Sequence, residues 1–481
     1  MLSPIKTIKR IPRRSIYKIL DIVTYNGLVW QILAKYMSIN FVRSVYLREL
    51  LIAVMLCGDI KNGYSVHKCE DCGFEHKVGF SCGKRFCNKC GYRRTENWVR
   101  KSKSKVLNVG HRHIIVTMPE VLWAIFAYER DLLKLISQTG QQVIQLWGLE
   151  KGIVKHGIIC IIHTFGYDIK WDPHGHLIVT EGGLTSSNTW RSWPWNKKKH
   201  RQPYISFSFL QSKWRELFSK ALFSALEQRW DKNPDLRNYI YQAVINIKQE
   251  QYRIEKQKRK KDRQRISFRR NPSRRDLKDL EQYVKEQQWY VNAESRLSDG
   301  EHTIEYVGRY TNRPAMAECR IVNFDGNNVT FWYDEKEKLS FYVKKKRKVM
   351  SLPVKEFIKR ILRHIPDKGF RMIEWFGLYA SSVWHRVKTI LMRLGKYVIK
   401  KVKLLNYRES IKKYFGYDPL ICKQCGGEML LYSINYLKDG TMRTKRYLGP
   451  KGYIAKFANR IYNYNLNRFF KIDPFGQISI I

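Results

Sequence analysis

Acidic side chains are scarce in this sequence. Its 481 residues contain 42 Asp and Glu against 90 Lys and Arg, which gives a formal net charge of +48 at pH 7. Like charges at this density repel one another in a compact fold, and a polyanionic partner relieves that repulsion. DNA or RNA is therefore the expected partner, with a membrane surface or the ribosome as the alternative source of negative charge.

Long apolar runs are also missing. No stretch of about 18 uncharged apolar residues, the length that spans a bilayer, occurs in the chain, which argues against a membrane-spanning helix. The first residues, MLSPIKTIKRIPRR, are basic and lack the apolar core of a secretory signal. We therefore expect a cytoplasmic, nucleoid-associated protein with no membrane partner. Because 44% of the residues are hydrophobic and 14% aromatic, we expect it to fold rather than stay disordered.

Five of the ten cysteines crowd into the segment HKCEDCGFEHKVGFSCGKRFCNKC. The pairs Cys69-x-x-Cys72 and Cys87-x-x-Cys90 have the spacing of zinc knuckles, and four thiolates make a closed, structural tetrahedral site. Cys82 is a fifth candidate that can replace one of the four. The spacing predicts structural zinc and reduced thiols, with unligated buried cysteines as the alternative.

A third knuckle, Cys422-x-x-Cys425, lies near the C-terminal end of the chain. Two cysteines supply only half of the ligands of a zinc site, and no second pair lies nearby in the sequence. Its partners can be distant cysteines, histidines or none.

Two histidines two residues apart begin an apolar, β-branched run in the segment IKWDPHGHLIVTEGGL. A strand turns successive side chains to opposite faces, so His174 and His176 point the same way and offer two imidazoles to a divalent cation. The preceding strand, GIICIIHTF, ends near His163, and the short connection between the two segments predicts antiparallel neighbours. His163 is therefore the first choice for a third ligand, and a histidine satisfied at a strand end is an equal alternative.

A competing His-x-His pair occurs in the earlier strand HRHIIVTMP, at His111 and His113. The residue between them is Arg112, which on a strand points into whatever packs behind the sheet. We therefore discount this pair as metal ligands and expect His113 to lie near the site.

The segment DGEHTIEYVGRYTNRP predicts a helix that Pro314 closes. Tyr306 and Tyr310 are four residues apart, so they lie on one face of that helix and are candidate nucleophiles. Arg309 and Arg313 flank them and are candidate phosphate contacts, with surface salt-bridge partners as the equal alternative.

Other candidate DNA contacts combine cations with aromatic rings. Trp193 and Trp195 lie in the loop WRSWPWNKKKHRQP, and indoles beside a basic groove can hold single strands, although they can equally anchor the loop. Lys84 and Arg85 precede the second knuckle. A very basic run over residues 247–275 indicates a solvated or phosphate-facing helix.

The chain is expected to divide into four parts. These are an N-terminal helical domain over residues 1–60, a zinc ribbon over 61–102, a domain carrying the histidines and tyrosines over 103–345 with a basic helical insertion at about 230–297, and a basic helical C-terminal domain over 346–481. A β-hairpin with a Gly-Asn turn is predicted in ECRIVNFDGNNVTFWYD.

These elements together suit one reaction. A tyrosine phenolate can attack a phosphodiester and stay joined to the 5′ phosphate, which frees a 3′ hydroxyl. The attack needs a cation with open coordination positions beside the scissile phosphate and a strand that is single or melted. Each motif is common by itself, but their co-occurrence is informative.

In this order the motifs resemble the two-tyrosine, His-hydrophobic-His (HUH) transposases of the insertion sequence ninety-one family, including the common-region elements. The segments that carry the resemblance are the cysteine-rich segment, HRHIIVTMP, HTFGYDIKWDPHGHLIVTEGGL, YVGRYTNRPA and FIKRILRHIPDKGFRMIEWFGLYA. The resemblance departs from the family pattern at Gly175, where the family has an apolar residue, and at Asn88, where the family usually has proline.

The resemblance implies an α+β fold with an antiparallel, ferredoxin-like sheet and flanking helices. It implies rolling-circle transposition through a covalent 5′-phosphotyrosine, without a DDE-type two-metal site. The implied cofactors are Mg²⁺ or Mn²⁺ at the histidines and structural Zn²⁺ at the cysteines, and the implied partners are single-stranded transposon ends and target DNA. A plasmid-type replication initiator or relaxase and a non-catalytic zinc-ribbon nucleic-acid-binding protein are the alternatives.

Overall fold

The structure is a computed structural model of the chain. It describes residues 18–37, 39–84, 86–166, 168–192, 204–258, 271–297, 300–311, 315–339, 342–399, 405–438, 441–446, 471–472 and 478–479. Helices and antiparallel strands alternate through these segments, which confirms the α+β class. None of the described helices has the length and apolar content needed to cross a bilayer.

The elements are numbered in chain order. The helices are α1 (Ile19–Thr24), α2 (Leu28–Met37), α3 (Phe41–Met55), α4 (Asn88–Lys103), α5 (Trp123–Tyr128), α6 (Lys134–Glu150), α7 (Phe207–Trp230), α8 (Pro234–Lys258), α9 (Arg274–Glu286), α10 (Gly300–Thr311), α11 (Val354–Arg363), α12 (Ser381–Arg393) and α13 (Tyr407–Phe415). The strands are β1 (Tyr64–Cys69), β2 (Glu75–Gly79), β3 (His111–Val116), β4 (Gly157–Phe165), β5 (Trp171–Thr180), β6 (Gly183–Leu184), β7 (Trp190–Arg191), β8 (Val291–Leu297), β9 (Ile321–Phe324), β10 (Asn328–Leu339), β11 (Tyr342–Pro353), β12 (Ile373–Gly377), β13 (Met429–Lys438), β14 (Thr441–Arg446), β15 (Lys471–Ile472) and β16 (Ile478–Ser479).

The chain forms two compact units, and each is assembled from segments that are distant in sequence. The first unit comprises Met1–Ser104, Gly308–Lys368 and Lys401–Ile481. The second comprises Lys105–Val307 and Gly369–Lys400.

The second unit is built on a five-stranded sheet with the order β12-β4-β5-β3-β8, in which every neighbouring pair is antiparallel. Without the edge strand β12, the chain order is β3, helices, β4, β5, helices, β8. That connectivity and strand order are those of the ferredoxin-like β-α-β-β-α-β arrangement expected from the resemblance. Strands β3, β4 and β5 lie where the apolar runs predict them.

Strand β5 has two different faces because its side chains alternate. Trp171, Leu177 and Val179 point into an apolar core that helices α5 to α9 complete. The other face carries His174 and His176. Successive residues of β5 therefore point alternately into the core and onto the face that carries the histidines.

The helices that cover the core side are anchored by large aromatic residues. Trp214 and Phe218 of α7 are fully buried and pack on Trp289, with ring centroids 6.4 and 5.7 Å from the Trp289 ring. The Trp214 indole nitrogen also donates a 2.7 Å hydrogen bond to the Thr117 carbonyl just after β3. Burying aromatic rings of this size contributes roughly 2–3 kcal/mol each, so these contacts hold the helices on the sheet.

The first unit contains the helices predicted before residue 60 and two further sheets. Helices α1, α2 and α3 bury one apolar face each. Arg43 of α3 pairs with Asp367 and donates to the carbonyls of Leu362 and Ile365, which ties α3 to the end of α11. The two sheets have the orders β11-β10-β9 and β14-β13-β1-β2.

Two parts of the predicted organisation are wrong. Residues 291–297, which the sequence places in a basic helical insertion, form edge strand β8 of the central sheet. Residues 346–481, which the sequence predicts to be a helical C-terminal domain, include strands β12, β13 and β14 and the end of β11. Strands β8, β11, β12 and β14 lie at sheet edges, where hydrophobic alternation is weak because only part of each strand is buried. Strand β13 lies between β14 and β1, and its pairing with β1 joins segments that are far apart in the sequence.

At Gly175, the core face of β5 lies close to helix α6 and to strand β3. A Cβ atom at this position would lie 2.6 Å from Cγ2 of Ile136 on α6 and 3.0 Å from Cγ2 of Val116 on β3. The first distance is shorter than carbon atoms tolerate and the second is tight, so a side chain at residue 175 would have to displace Ile136.

We expect Gly175→Ala to destabilise the protein by about 1–3 kcal/mol, because the added methyl group overpacks the core. Ile136→Ala removes the atom that the methyl group meets, so the double variant should lose less than the sum of the two single losses. Urea unfolding of the four proteins measures this coupling. Combining Gly175→Ala with Ile144→Ala, a buried residue of the same helix, is the control and should be additive. Additivity of both pairs would contradict the close approach.

Candidate active site

Three histidines meet on one face of the hairpin formed by β4 and β5. His163 lies directly opposite His174 in the antiparallel ladder, which confirms the predicted pairing of the two strands. His176 is two residues further along β5, and its ring centroid lies 4.4 Å from that of His163. One nitrogen of each imidazole lies within 4.8 Å of the corresponding nitrogens of the other two.

Hydrogen bonds orient two of the three rings. Nδ1 of His174 lies 2.8 Å from the Asp172 carbonyl oxygen, which can only accept, so Nδ1 carries the proton and donates it. The Nε2 lone pair of His174 then faces Nε2 of His176 at 3.1 Å. Such an arrangement aims the ligand nitrogens of both rings at one point.

The third strand of the sheet supplies a histidine that holds His176. Nε2 of His113 lies 2.7 Å from Nδ1 of His176, and the two rings stack with centroids 5.0 Å apart. Both residues are at least nine-tenths buried. His113 therefore sets the ring orientation of His176 in the way that outer-shell partners of metal-binding histidines do. The sequence predicted that His113 lies near the site without being a metal ligand, and its contact with His176 agrees with this prediction.

His111, the other histidine of the competing pair, and Arg112 between the two have partners outside the histidine trio. Nε2 of His111 is hydrogen-bonded to the Tyr379 hydroxyl at 2.6 Å. Arg112 points to the opposite face and forms a buried ion pair with Glu181, with Nε 2.6 Å from Oε1. Burial raises the pKa of the Tyr379 phenol well above its usual value near 10, so this tyrosine stays protonated and is a poor nucleophile.

The two candidate nucleophiles lie on α10, which follows edge strand β8. Tyr306 and Tyr310 are one helical turn apart. Their side chains and that of Arg309 lie outside the described residues, as does the whole of Arg313. Of the candidate DNA contacts, Trp193, Trp195 and Arg85 also lie outside them.

Between the two tyrosines, Gly308 packs against α4. A Cβ atom at Gly308 would overlap Cγ2 of Val99 and would lie 3.8 Å from Cγ2 of Thr95. The backbone of α10 can approach α4 this closely only because residue 308 has no side chain. Helix α4 therefore supports the middle of the tyrosine helix.

Helix α4 begins at a cluster of four cysteines. Cys87 precedes the helix and Cys90 lies in its first turn. Cys57 lies in the connection between α3 and β1, and Cys82 lies in the connection between β2 and α4. The Sγ atoms of Cys57 and Cys87 are 3.6 Å apart, and those of Cys82 and Cys90 are 3.7 Å apart. Hydrogen bonds from Cys82 and Cys87 lower the pKa of the Cys57 thiol to about 7, which favours the thiolate that binds metal.

The predicted grouping of Cys69, Cys72, Cys87 and Cys90 in one site is therefore wrong. Cys69 and Cys72 form a separate cluster with Cys422 and Cys425. Sequence reasoning missed Cys57 because it stands alone, without knuckle spacing. Lys84, a candidate DNA contact, lies beside the first cluster, where its backbone amide donates to the Cys82 Sγ at 3.5 Å.

Two family models match the chain. One, described as a putative transposase, matches residues 157–388, and the other, described as a transposase zinc-binding domain, matches residues 30–118. The transposase for insertion sequence element IS801 of Pseudomonas savastanoi pv. phaseolicola is 22% identical over 386 residues, which are 79% of this chain and 82% of that protein. The putative transposase y4qJ of Sinorhizobium fredii is 26% identical over 339 residues, 69% of this chain and 74% of that protein. No solved structure matches the chain.

The chain belongs to the insertion sequence 91 (IS91) family of transposases. The first model spans the three histidines and α10, and the zinc-binding model spans the whole first cysteine cluster. Structural zinc in this transposase thus agrees with both the family model and the thiol geometry.

Both departures of this IS91-family transposase from its family pattern have local explanations. At Gly175, the side chain of Ile136 on α6 packs so close to β5 that an apolar side chain would have to displace it. Asn88 is the first residue of α4. Proline is favoured at the first position of a helix but is not needed there, so asparagine leaves the knuckle intact.

The histidine trio has the donor chemistry of a divalent metal site. Its ligand atoms are neutral imidazole nitrogens, and the 3.1 Å between Nε2 of His174 and Nε2 of His176 is close to the separation of two nitrogens that share an ion at about 2.1 Å. Three protein ligands leave further coordination positions for a substrate. The residues present therefore fit the cation that the family implies.

We expect His113→Ala to weaken Mn²⁺ binding by about 10–100-fold, because His176 loses the partner that orients its ring. Isothermal titration of the metal-free protein measures the affinity. His385→Ala, which changes an exposed histidine of α12, is the matched control and should bind Mn²⁺ as the unchanged protein does. Equal affinities for both variants would contradict the orienting contact.

Proposed function

We propose that this transposase nicks and joins single-stranded DNA ends through a 5′-phosphotyrosine intermediate, and that it moves its element by rolling-circle transposition. The observation that supports this most strongly is the convergence of His163, His174 and His176 on a ferredoxin-like sheet. The family match supports the coarser activity, strand cleavage and transfer by a transposase.

The histidine trio is proposed to hold a divalent cation, Mg²⁺ or Mn²⁺. Imidazole nitrogen is a softer ligand than the oxygens that Mg²⁺ prefers, so the donor set favours Mn²⁺ of the two. When bound, the ion polarises the scissile phosphate. The hydrogen bonds of His174 to Asp172 and of His176 to His113 hold the ligand nitrogens in place before substrate arrives.

Tyr306 or Tyr310 is the proposed nucleophile. Its phenol oxygen attacks the phosphorus and loses its proton, a Tyr O–P bond forms, and the P–O3′ bond breaks, so that the upstream strand leaves with a free 3′ hydroxyl. A second tyrosine one turn away can make the second cleavage or accept the strand from the first. This division of labour explains why the helix carries a pair.

The DNA is proposed to be bound largely through its phosphates. A net charge of +48 supplies the long-range attraction, and the first candidate contacts are Lys84, Arg85, Arg309 and Arg313. Trp193 and Trp195 are proposed to stack on unpaired bases, which suits a single-stranded substrate.

The covalent intermediate can be detected directly. Incubation of the protein with a single-stranded oligonucleotide containing a transposon end and Mn²⁺ should give a mass increase on a peptide that contains Tyr306 or Tyr310. Tyr306→Phe and Tyr310→Phe should each remove one adduct, and the double variant should form none, because phenylalanine has no attacking oxygen. Tyr290→Phe, which changes an exposed tyrosine near the same sheet, should leave the yield unchanged. An adduct that persists in the double variant would overturn the assignment.

Gly308 offers a test of how the tyrosine helix is supported. Gly308→Ala should displace α10 from α4 and lower the adduct yield by about tenfold or more, since small misplacements of a reacting group are costly. Adding Val99→Ala removes the clashing atom and should restore most of the yield. Circular dichroism checks that all variants are folded. Full yield in Gly308→Ala would show that this contact does not position the tyrosines.

A further inference from the structure

The second cysteine cluster combines residues that are about 350 positions apart in the chain. Sγ of Cys69 lies 3.5 Å from Sγ of Cys425, and Sγ of Cys72 lies 3.6 Å from Sγ of Cys422. All four sulfur atoms lie within 4.8 Å of one another. Neither matched family model reaches Cys422 or Cys425, because the models end at residues 118 and 388.

We propose that this cluster is a second structural zinc site, so that the chain binds two zinc ions, and that the second ion fastens the C-terminal strands to the N-terminal ribbon. Four thiolates around Zn²⁺ with Zn–S bonds of about 2.3 Å have sulfur atoms about 3.7 Å apart, which matches the spacing of this cluster. A disulfide would require about 2.05 Å, and these cysteines are free thiols.

Both halves of the site have the same local structure. Each is a Cys-x-x-Cys-Gly turn, in which the glycine has a positive φ, +74° at Gly73 and +79° at Gly426. The amide of Gly73 donates to the Cys69 carbonyl at 3.1 Å, and the amide of Gly426 donates to the Cys422 carbonyl at 3.0 Å. Equivalent turns on two chain segments are how a zinc ribbon presents four sulfurs to one ion.

Pairing of the β1 and β13 backbones places the two turns side by side. Strand β1 ends at Cys69, which pairs with Met429, the first residue of β13. Beside this pair, a Cβ atom at Gly427 would overlap the Asp71 carboxylate and would lie 3.3 Å from Sγ of Cys69. The Cys422-x-x-Cys425 turn therefore lies directly against the Cys69-x-x-Cys72 turn.

The described apolar residues packed directly around the cluster are few. Around the cluster, the buried apolar group consists of Cys69, Cys422 and Met429, with Phe74 packed against it. So small a group buries little apolar area, and a closed zinc site typically contributes more to folding than such a core does. Loss of the ion should consequently loosen β13 and β14 from β1.

The number of bound zinc ions tests the proposal directly. Elemental analysis of the purified full chain should give two zinc ions per protein. Cys422→Ser with Cys425→Ser should give one, as should Cys87→Ser with Cys90→Ser, which empties only the first cluster. Cys319→Ser changes an exposed cysteine outside both clusters and should retain two. A full chain that binds one ion, or a Cys422/Cys425 variant that still binds two, would overturn the proposal.

A measurement on the unchanged sequence covers the case in which a variant fails to fold. Replacement of zinc by Co²⁺ should produce the intense visible absorption of tetrahedral tetrathiolate cobalt at about two sites per chain. Limited proteolysis should cut within residues 405–446 faster in the chelator-treated protein than in the zinc-bound protein. One cobalt site per chain, or identical cleavage of the two forms, would refute the shared site.

Discussion

The alternation of side chains along β5 is the constraint on which the candidate site depends. Leu177 and Val179 are fixed in the core by helices α5 to α9, and this placement forces His174 and His176 onto the opposite face. A shift of the strand by one residue would turn the histidines into the apolar core and the apolar side chains onto the opposite face, so the hydrophobic core selects the register. The core thus positions ligands that it does not contact.

The histidine trio depends on two strands, β4 and β5, and the hydrogen bond that orients His176 depends on a third strand, β3. His163 is placed opposite His174 by the β4–β5 hairpin, and His113 reaches His176 from β3. Because the three strands are neighbours in one sheet, the rings are held by backbone pairing as well as by their own hydrogen bonds. A site built on paired strands has its ligand atoms positioned by the backbone, which is how a rigid scaffold preorganises a binding site.

Local patterns in the sequence were sufficient for much of the fold. The apolar runs predicted β3, β4 and β5, the expected N-terminal helical domain contains α1 to α3, and the short connection before His174 predicted the hairpin. The predictions failed where the evidence is non-local. Strand β8 follows a long basic helical region and pairs with β3, more than 170 residues earlier, and β13 pairs with β1 at a still larger separation. No local spacing encodes such pairings.

The cysteines show the same distinction: each Cys-x-x-Cys pair is visible in the local sequence, but which pairs share a cluster is not. By itself, the sequence determined the chemistry of this protein: its thiol knuckles, its His-x-His strand, its tyrosine pair and its affinity for a polyanion, because each depends on residue type and on spacing over a few positions. Only the tertiary structure decided which knuckles share a site, which histidine orients His176 and which helix supports Gly308. Each of these depends on contacts between segments that lie far apart in the chain, and such contacts form only when the chain packs into its tertiary structure.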